Sequence, residues 1–439
     1  MKLLLIGPTS ILEDGRLYRS SRRWLIGITL PYLAALTPPE WDVRMVDERV
    51  QPLDFDELCD LVGMSFMSHH APRAFEIARQ FRERGVPVVV GGFHASAMPE
   101  EALTHCDAVV VGEAETVWPQ LLDDVKVGRL RQVYQAAAFH DMKGLPVPRY
   151  DLLDMRRYQV PAIQNFIPVQ TSRGCPFACR FCEVTRFYGR TYRFRPVEEV
   201  VAEIEQLGYR SIYFVDDNVA ANRRRSQQLF NALKPLKLKW TGQMNMSTAK
   251  DAQLLDLMVE SGCMHLNIGM ESINPASLAE MNKRMNQVED YQFILRNLRE
   301  RGIFFSMNLV FGLDSDTTEI FEETVTFLRQ EKVPMTFMWI MTPRVGTALR
   351  EQLEEEGRLL TDDWTRYDGA NCVYQPAGFS PEGLEAAFWR TCQQFYSPAS
   401  IIQRLIPTFL DRSSWMNALA YNLFFAWGVR RRKFPVAYF

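Results

Sequence analysis

The chain has 439 residues, too many for one ordinary hydrophobic core, so two or three domains are expected. Hydrophobic residues make up 47% and charged residues 23%, the balance of a folded globular protein and not of a disordered one. With 50 basic against 53 acidic side chains and a net charge of -3, there is no electrostatic case for a nucleic-acid partner.

The N-terminal run MKLLLIGPTS lacks the charged start, long apolar stretch and small-residue cleavage site of a signal peptide, and reads instead as a buried first strand. No window reaches the roughly 20 apolar residues that a bilayer span requires. The expected location is the cytoplasm.

Residues 1–140 read as repeated strand–helix units. KLLLIG, DVRMVDE, LVGMSFMS, VPVVVGG and AVVVGE are five strand candidates, and APRAFEIARQFRERG carries apolar positions near helical spacing with a glycine stop. Continuous Val/Ile/Leu runs without alternation mean strands buried on both faces. The expectation is a doubly wound, Rossmann-like α/β domain with a parallel sheet. Residues 141–165, which include Lys143-Gly144-Leu145-Pro146-Val147-Pro148, break the rhythm and are expected to connect domains.

From 166 to 355 the alternation resumes, with IPVQTSRG, SIYFVDDN, LKWTGQMN, HLNIGMES, FFSMNLVFGL and PMTFMWIMT as six strands. Six such units suggest a partial (β/α)6 barrel of the TIM type, with ligands at the C-terminal strand ends. Those ends are polar: Asp216, Asp217, Asn218, Gln243, Asn245 and Glu271. Asn308, Trp339 and Arg344 are expected to line the substrate pocket. Residues 356–439 are aromatic-rich and mostly helical in pattern.

Five of the eight cysteines (Cys59, Cys106, Cys263, Cys372 and Cys392) are scattered and read as small apolar side chains. The other three, Cys175, Cys179 and Cys182, fall within eight residues in TSRGCPFACRFC. Three thiolates at this spacing can hold one face of a four-iron cluster and leave the fourth iron open. A zinc site would want four ligands, and the nearest histidines, His140 and His265, are remote.

The Cys-x3-Cys-x2-Cys motif after the first barrel strand resembles the signature of the radical S-adenosylmethionine (SAM) superfamily. That resemblance implies a 4Fe–4S cluster on the three cysteines, with SAM on its open iron. It also implies reductive cleavage to a 5′-deoxyadenosyl radical, and an electron donor such as flavodoxin or ferredoxin. By the same resemblance Phe181 packs near the adenine and Asp216 or Asp217 meets the methionine amino group. Glu271 accepts from the ribose hydroxyls, and Gly312 lets backbone approach the adenine.

The N-terminal stretch Gly91-Gly92-Phe93-His94, then Asp107-Ala-Val-Val-Val-Gly112-Glu113-Ala-Glu115, resembles the cobalamin-binding domains fused to such barrels. The C-terminal W-x2-YDGANCVYQP extends the resemblance over nearly the whole chain. Glycines at strand ends let a large planar ligand lie on backbone. Gly91, Gly92, Phe93, Gly112 and Glu113 are therefore the candidate cobalamin residues, with Ser65 and Ser68 as donors to a nucleotide tail. The Asp-x-His-x2-Gly motif that supplies a histidine to cobalt in some cobalamin enzymes is absent near the first two strands. His94 and the His69-His70 pair are alternative cobalt ligands, against the commoner case of loop histidines bonded to backbone.

The segment from Ala399 onward mixes apolar side chains with Arg430, Arg431, Arg432 and Lys433. It reads as a helix packed across the barrel with a solvated basic end, or as an interfacial helix that touches a membrane. The working expectation is cobalamin-dependent C-methylation of a hydrophobic small molecule. Two alternatives stay open: a radical SAM cyclase or oxidoreductase with a degenerate cobalamin domain, and a non-catalytic cobalamin or iron–sulfur sensor.

Overall fold

The computed structural model describes residues 1–23, 25–160, 165–406 and 412–432. Its first sheet holds β1 (Lys2–Gly7), β2 (Asp42–Asp47), β3 (Leu61–Ser65), β4 (Val88–Gly91), β5 (Ala108–Val111) and β6 (Val133–Gln135), all parallel in the order 2-1-3-4-5-6. Successive side chains of β1 go to opposite faces: Leu3 and Leu5 join one buried cluster, Leu4 and Ile6 the other. That two-sided burial is why the strand reads as an unbroken apolar run. The helix Ala71–Glu83 covers one face, and the helices Thr29–Leu36 and Trp118–Lys126 cover the other. Strand order reverses beside β1, so the crevice at the carboxyl ends of these strands is a ligand position by topology.

The sheet has one strand more than the five expected. β6 is a three-residue edge strand within residues 1–140, and only its central Tyr134 is buried. Too short and too polar for a run of apolar residues, it left no periodic signal.

The second sheet holds β7 (Ile167–Val169). A short antiparallel hairpin follows, β8 (Ser172–Arg173) with β9 (Arg193–Phe194), and then β10 (Ser211–Phe214), β11 (Lys239–Asn245), β12 (Cys263–Glu271), β13 (Phe304–Phe311) and β14 (Met335–Ile340). Its six long-range strands run parallel in strict sequence order, β7-β10-β11-β12-β13-β14. Such a sheet is an arc of a barrel with two free edges, and free edges need partners. On β14 the Tyr396 hydroxyl donates to the Thr336 carbonyl at 2.5 Å and accepts from the Thr336 N–H at 3.3 Å. On β7 the Tyr150 hydroxyl donates to the Pro168 carbonyl at 2.7 Å.

Three C-terminal helices, Pro381–Phe395, Pro398–Leu405 and Arg412–Arg430, lie against the β14 side. Arg404 pins them. Fully buried, it donates to the carbonyls of Val333, Pro334 and Phe395 and to Asn422 Oδ1, with its guanidinium 3.7 Å from the Phe395 ring centroid. Ahead of these helices, Trp364, Tyr367 and Val373 pack into the core of the first sheet, and Trp364 Nε1 donates to Glu101 at 2.8 Å.

Candidate cluster and cofactor site

The cysteine segment hangs between β8 and β9, directly above the carboxyl end of the barrel strands. Its entry is fixed by Asp216 at the end of β10. Asp216 Oδ1 accepts from the backbone N–H groups of Thr171 (2.7 Å) and Ser172 (2.8 Å), and Oδ2 accepts from Thr171 Oγ1 (2.6 Å). Gly174 then turns with φ +82°, and a Cβ there would lie 2.2 Å from the Thr191 carbonyl oxygen, so no other residue fits. The loop is also held from outside: Arg180 N donates to Met281 O (3.1 Å), Asn282 Nδ2 to Ala178 O (2.8 Å) and Leu349 N to Arg180 O (3.0 Å).

Cys175, Cys179 and Cys182 are all free and half-buried. Burial raises each thiol pKa, Cys182 to about 12; the Cys175 thiol raises it further at Cys179, and both raise it at Cys182. The Lys283 ammonium works against this at Cys175 and Cys179. Three thiols that disfavour their own ionisation this way need a strongly positive group to become thiolates, and an iron–sulfur cluster is such a group. Among the described residues no three His, Cys, Asp or Glu side chains converge on a point that one metal ion could fill. A cubane asks for something else, one thiolate at each of three separate corners.

At the barrel mouth a cavity of about 360 Å³ is lined by Phe181, Gln243, Glu271, Asn308, Trp339 and Arg344, among others. Glu271 ends β12 with φ +67°, next to an irregularity in its pairing with β13, and its carboxylate is ion-paired with Lys283. A non-glycine residue held at positive φ is strained, and the Lys283 contact fixes its side chain. Asp217 Oδ2 accepts from Gly174 N at 3.2 Å; burial, then the neighbouring Asp216, raises its pKa to about 7.

On the other side of the cysteine loop lies a crevice over the ends of β3, β4 and β5. Ser65, Gly91, Gly92, Phe93, Gly112 and Glu113 line it from the first sheet, and Gln170, Arg173, Phe187 and Tyr188 line it from the barrel. Gly92 has φ +92°, and a Cβ there would come within 2.8 Å of the Phe66 backbone. In the crevice walls the buried Glu115 Oε2 and Tyr32 Oη make no hydrogen bond of good geometry, although the Tyr32 hydroxyl lies near both the Glu115 carboxylate and Arg173. A ligand rich in amide donors and acceptors, as the corrin periphery is, fits those orphaned atoms.

Four expectations change and a fifth is narrowed. Asp216 is fully buried and both its oxygens are taken by Thr171 and Ser172, so it positions the cysteine hairpin and has nothing left for a ligand. Ser68 is not in the crevice: it is buried and bonded to His94 Nδ1 at 3.1 Å, with His94 Nε2 facing Glu101 Oε2 at 3.2 Å. His94 itself has no exposed surface, which removes it as a cobalt ligand. Gly312 is crowded by Tyr374 and Leu384, and its carbonyl takes the Tyr374 hydroxyl. Its lack of a side chain serves the packing of the C-terminal region. Glu113 lines the crevice, but its carboxylate accepts from Arg173, Arg193 and the His140 N–H.

Lys283, Arg173, Glu115 and Tyr32 were not singled out from the sequence. Glu115 lies within a motif quoted above, Arg173 directly precedes Gly174-Cys175, and Tyr32 sits among apolar residues of the helix Thr29–Leu36. Lys283 sits on a turn with no periodic signal.

Two family models match the chain: the B12 binding domain over residues 26–122 and the Radical SAM superfamily over residues 169–328. Bacteriochlorophyllide d C-8(2)-methyltransferase of Chlorobaculum tepidum is 30% identical over 402 residues, 88% of this chain and 89% of that one. Hopanoid C-2 methylase of Rhodopseudomonas palustris is 29% identical over 389 residues, 85% and 71% of the two chains. Among solved structures, the radical SAM methyltransferase TsrM of Kitasatospora setae, with cobalamin and a [4Fe-4S] cluster bound, superposes with a TM-score of 0.67. The match is at 17% identity and covers 98% of this chain and 99% of that one, a likeness of fold. The chain belongs to the radical SAM enzymes that carry a cobalamin-binding domain. Its cofactors are accordingly a 4Fe–4S cluster, SAM and cobalamin.

Proposed function

We propose that this enzyme is a C-methyltransferase that acts on an unactivated carbon of a hydrophobic small molecule. The observation that carries the reading is the double-sided cysteine loop. Phe181 lines the barrel mouth, while Phe187 and Tyr188, five and six residues after Cys182, wall the crevice over Gly91 and Gly112. One short segment thus borders both cofactor sites, so a substrate at the mouth lies between them. When bound, the cluster with SAM supplies hydrogen abstraction, and cobalamin supplies a transferable methyl group.

In this reading residues 1–140 bind cobalamin, 141–165 connect, 166–355 form the catalytic barrel, and 356–439 close it. Cys175, Cys179 and Cys182 hold the cluster. Phe181 packs on SAM, Asp217 takes its amino group and Glu271 its ribose hydroxyls, while Asp216 and Lys283 fix the geometry of these groups. Ser65, Gly91, Gly92, Phe93 and Gly112 face the cobalamin. Flavodoxin or ferredoxin provides electrons in the cytoplasm, where free thiols persist.

The C-terminal helices support membrane contact. No helix among the described residues is long and apolar enough to cross a membrane. The helix Arg412–Arg430 nevertheless exposes Met416, Leu423 and Trp427 on one face, with Ile402 and Ile406 exposed nearby and Arg430, Arg431 and Arg432 exposed at its end. Lys433 lies outside the described residues. Apolar side chains beside cations suit an anionic lipid surface, from which a hydrophobic substrate could be drawn. Flotation with phosphatidylglycerol vesicles, lost in Leu423→Glu, is the expected result.

The test of function is anaerobic reconstitution with cobalamin, followed by incubation with SAM, reductant and candidate substrates. S-adenosylhomocysteine and 5′-deoxyadenosine should form together with a product heavier by one methylene. Formation of 5′-deoxyadenosine with a product of unchanged carbon count would overturn methylation in favour of cyclisation or oxidation.

A further inference from the structure

The roles above leave a second cavity of the barrel without a function. It measures about 80 Å³ and lies at the amino ends of the strands, beneath the mouth. Alternate residues of a barrel strand face the interior, so each strand climbs from this floor to the mouth in steps of two. Thr241 and Gln243 do so on β11, Phe304 and Asn308 on β13, and Phe337 and Trp339 on β14; the first of each pair lines the deep cavity and the second the mouth. At about 3.3 Å per residue, Phe304 and Asn308 stand about 13 Å apart along β13. Tyr213 and Asn267 line both spaces, which makes the two cavities continuous along one wall. The helix Arg412–Arg430 floors the deep cavity with Asn417, Tyr421 and Phe425, spaced four residues apart on one face.

The polar side chains of this interior satisfy one another. Ser306 Oγ donates to Asn267 Oδ1 at 2.9 Å and meets His265 Nε2 at 2.9 Å, while His265 Nδ1 meets Thr241 Oγ1 at 2.9 Å. Asn267 Oδ1 can only accept, so it takes the Ser306 proton. In the neutral imidazole Nε2 then donates to Ser306, and Nδ1 accepts from Thr241. Above them Gln243 accepts from Asn267 Nδ2 and donates to the Tyr213 hydroxyl at 3.2 Å. Much of the remaining wall is apolar, with Phe166, Phe304, Met335, Phe337 and Phe425. A space whose polar groups are already paired makes little demand on water and accepts an apolar guest.

Size sets the class of guest. An apolar cavity of about 150 Å³ takes a benzene ring. At about 80 Å³ the deep cavity has room for a slim chain and not for a ring. We propose that it receives an unbranched aliphatic chain of the substrate, which descends from the mouth past Tyr213 and Asn267. The proposal rests on the mouth cavity being the substrate site and adds the substrate class: a molecule whose reacting part lies in the mouth and whose linear tail is buried beneath it. The depth to which the tail descends fixes which carbon stays level with the cofactors.

The test measures binding of linear para-alkylphenols, from ethyl to octyl, to oxidised, cobalamin-loaded holoenzyme by ultrafiltration, with SAM present and no reductant. The ring stays in the mouth and the chain descends. Affinity should rise about fourfold per methylene until the chain meets the helix, and then level off. The para-tert-octyl isomer has the same carbon count but is too wide to descend, and should bind about tenfold or more weakly than the linear one. Asn417→Phe fills the floor and should end the rise at a shorter chain, and Tyr421→Ala should extend it to a longer one. Iron and cobalamin per chain certify that each variant is folded. Affinity independent of chain length overturns the site, as does equal binding of the two octyl isomers. A series unchanged in both variants, or abolished by Leu423→Glu on the exposed face of the helix, also overturns it, by placing the chain outside the barrel. Because no catalysis is read, a failure here leaves the methylation reading intact, and a failure to form S-adenosylhomocysteine leaves this cavity intact.

Discussion

Arg173 Nη1 stands 2.8 Å from Glu113 Oε1 and 2.5 Å from Glu115 Oε1, which ties the strand that leads into the cysteines to the loop after β5 in the other sheet. Arg193, on the strand that leaves the cysteine loop, reaches the same Glu113 at 3.0 Å. Burial pushes the Glu113 carboxyl up, but hydrogen bonds from Arg193 and Arg173 outweigh it and hold its pKa below the ordinary value. The cysteine hairpin is therefore clamped on both arms to the cobalamin side of the molecule.

Breaking such a pair from one side leaves an uncompensated buried charge, at about 3–5 kcal/mol. Glu113→Ala should lower stability to urea by about that amount and reduce cobalamin retained after gel filtration. An Arg173→Met variant as stable as the parent and fully loaded with cobalamin would show that the clamp is dispensable.

Glu271 and Lys283 give a sharper test of SAM binding. The carboxylate is held by the ammonium at a strained backbone position, so replacing either partner should loosen the ribose contact. A hydrogen bond to a charged group contributes about 1.5–3 kcal/mol, so Glu271→Gln should raise the SAM dissociation constant about 10- to 100-fold. Lys283→Met should act in the same direction. Equilibrium dialysis with radiolabelled SAM measures both, and iron content should stay at four per chain in Glu271→Gln.

The adjacent acids at the end of β10 should separate in their effects. Asp216→Ala removes three hydrogen bonds from Thr171 and Ser172 and should cost iron in reconstitution, because the hairpin loses its anchor. Asp217→Asn keeps the bond from Gly174 and should keep the cluster while it weakens SAM binding. Iron analysis and dialysis on the two variants distinguish these roles.

The parts legible in the sequence were those with a local signature. The strands of both sheets are apolar runs bounded by polar ends, and the three cysteines lie within eight residues. What stayed hidden was pairing across sequence distance. Asp216 reads as a ligand because its partners Thr171 and Ser172 lie 45 and 44 residues earlier. Ser68 reads as open because its partner His94 lies 26 residues away, and Gly312 because Tyr374 and Leu384 come from the C-terminal region. Arg23 read as one more loop arginine, since nothing local shows that its guanidinium is buried.

The pH dependence of folding should report the barrel interior. His265 on β12 accepts or donates at both ring nitrogens, 2.9 Å from Thr241 Oγ1 and 2.9 Å from Ser306 Oγ, and burial lowers its pKa to about 3. Between about pH 6.5 and 3 the unfolded chain binds a proton at this site that the folded chain does not, so stability falls as the pH falls through that window. The contribution is fully present above the unfolded value and is lost towards the folded one. His69 and His70 are shifted in the same direction by burial and steepen the same limb. Urea midpoints of the cofactor-free protein between pH 7 and 4 should therefore decline. His265→Gln should remove up to about 1.4 kcal/mol per pH unit of that slope. A slope unchanged in His265→Gln would mean that this imidazole reaches solvent and titrates in the folded barrel as it does in the unfolded chain.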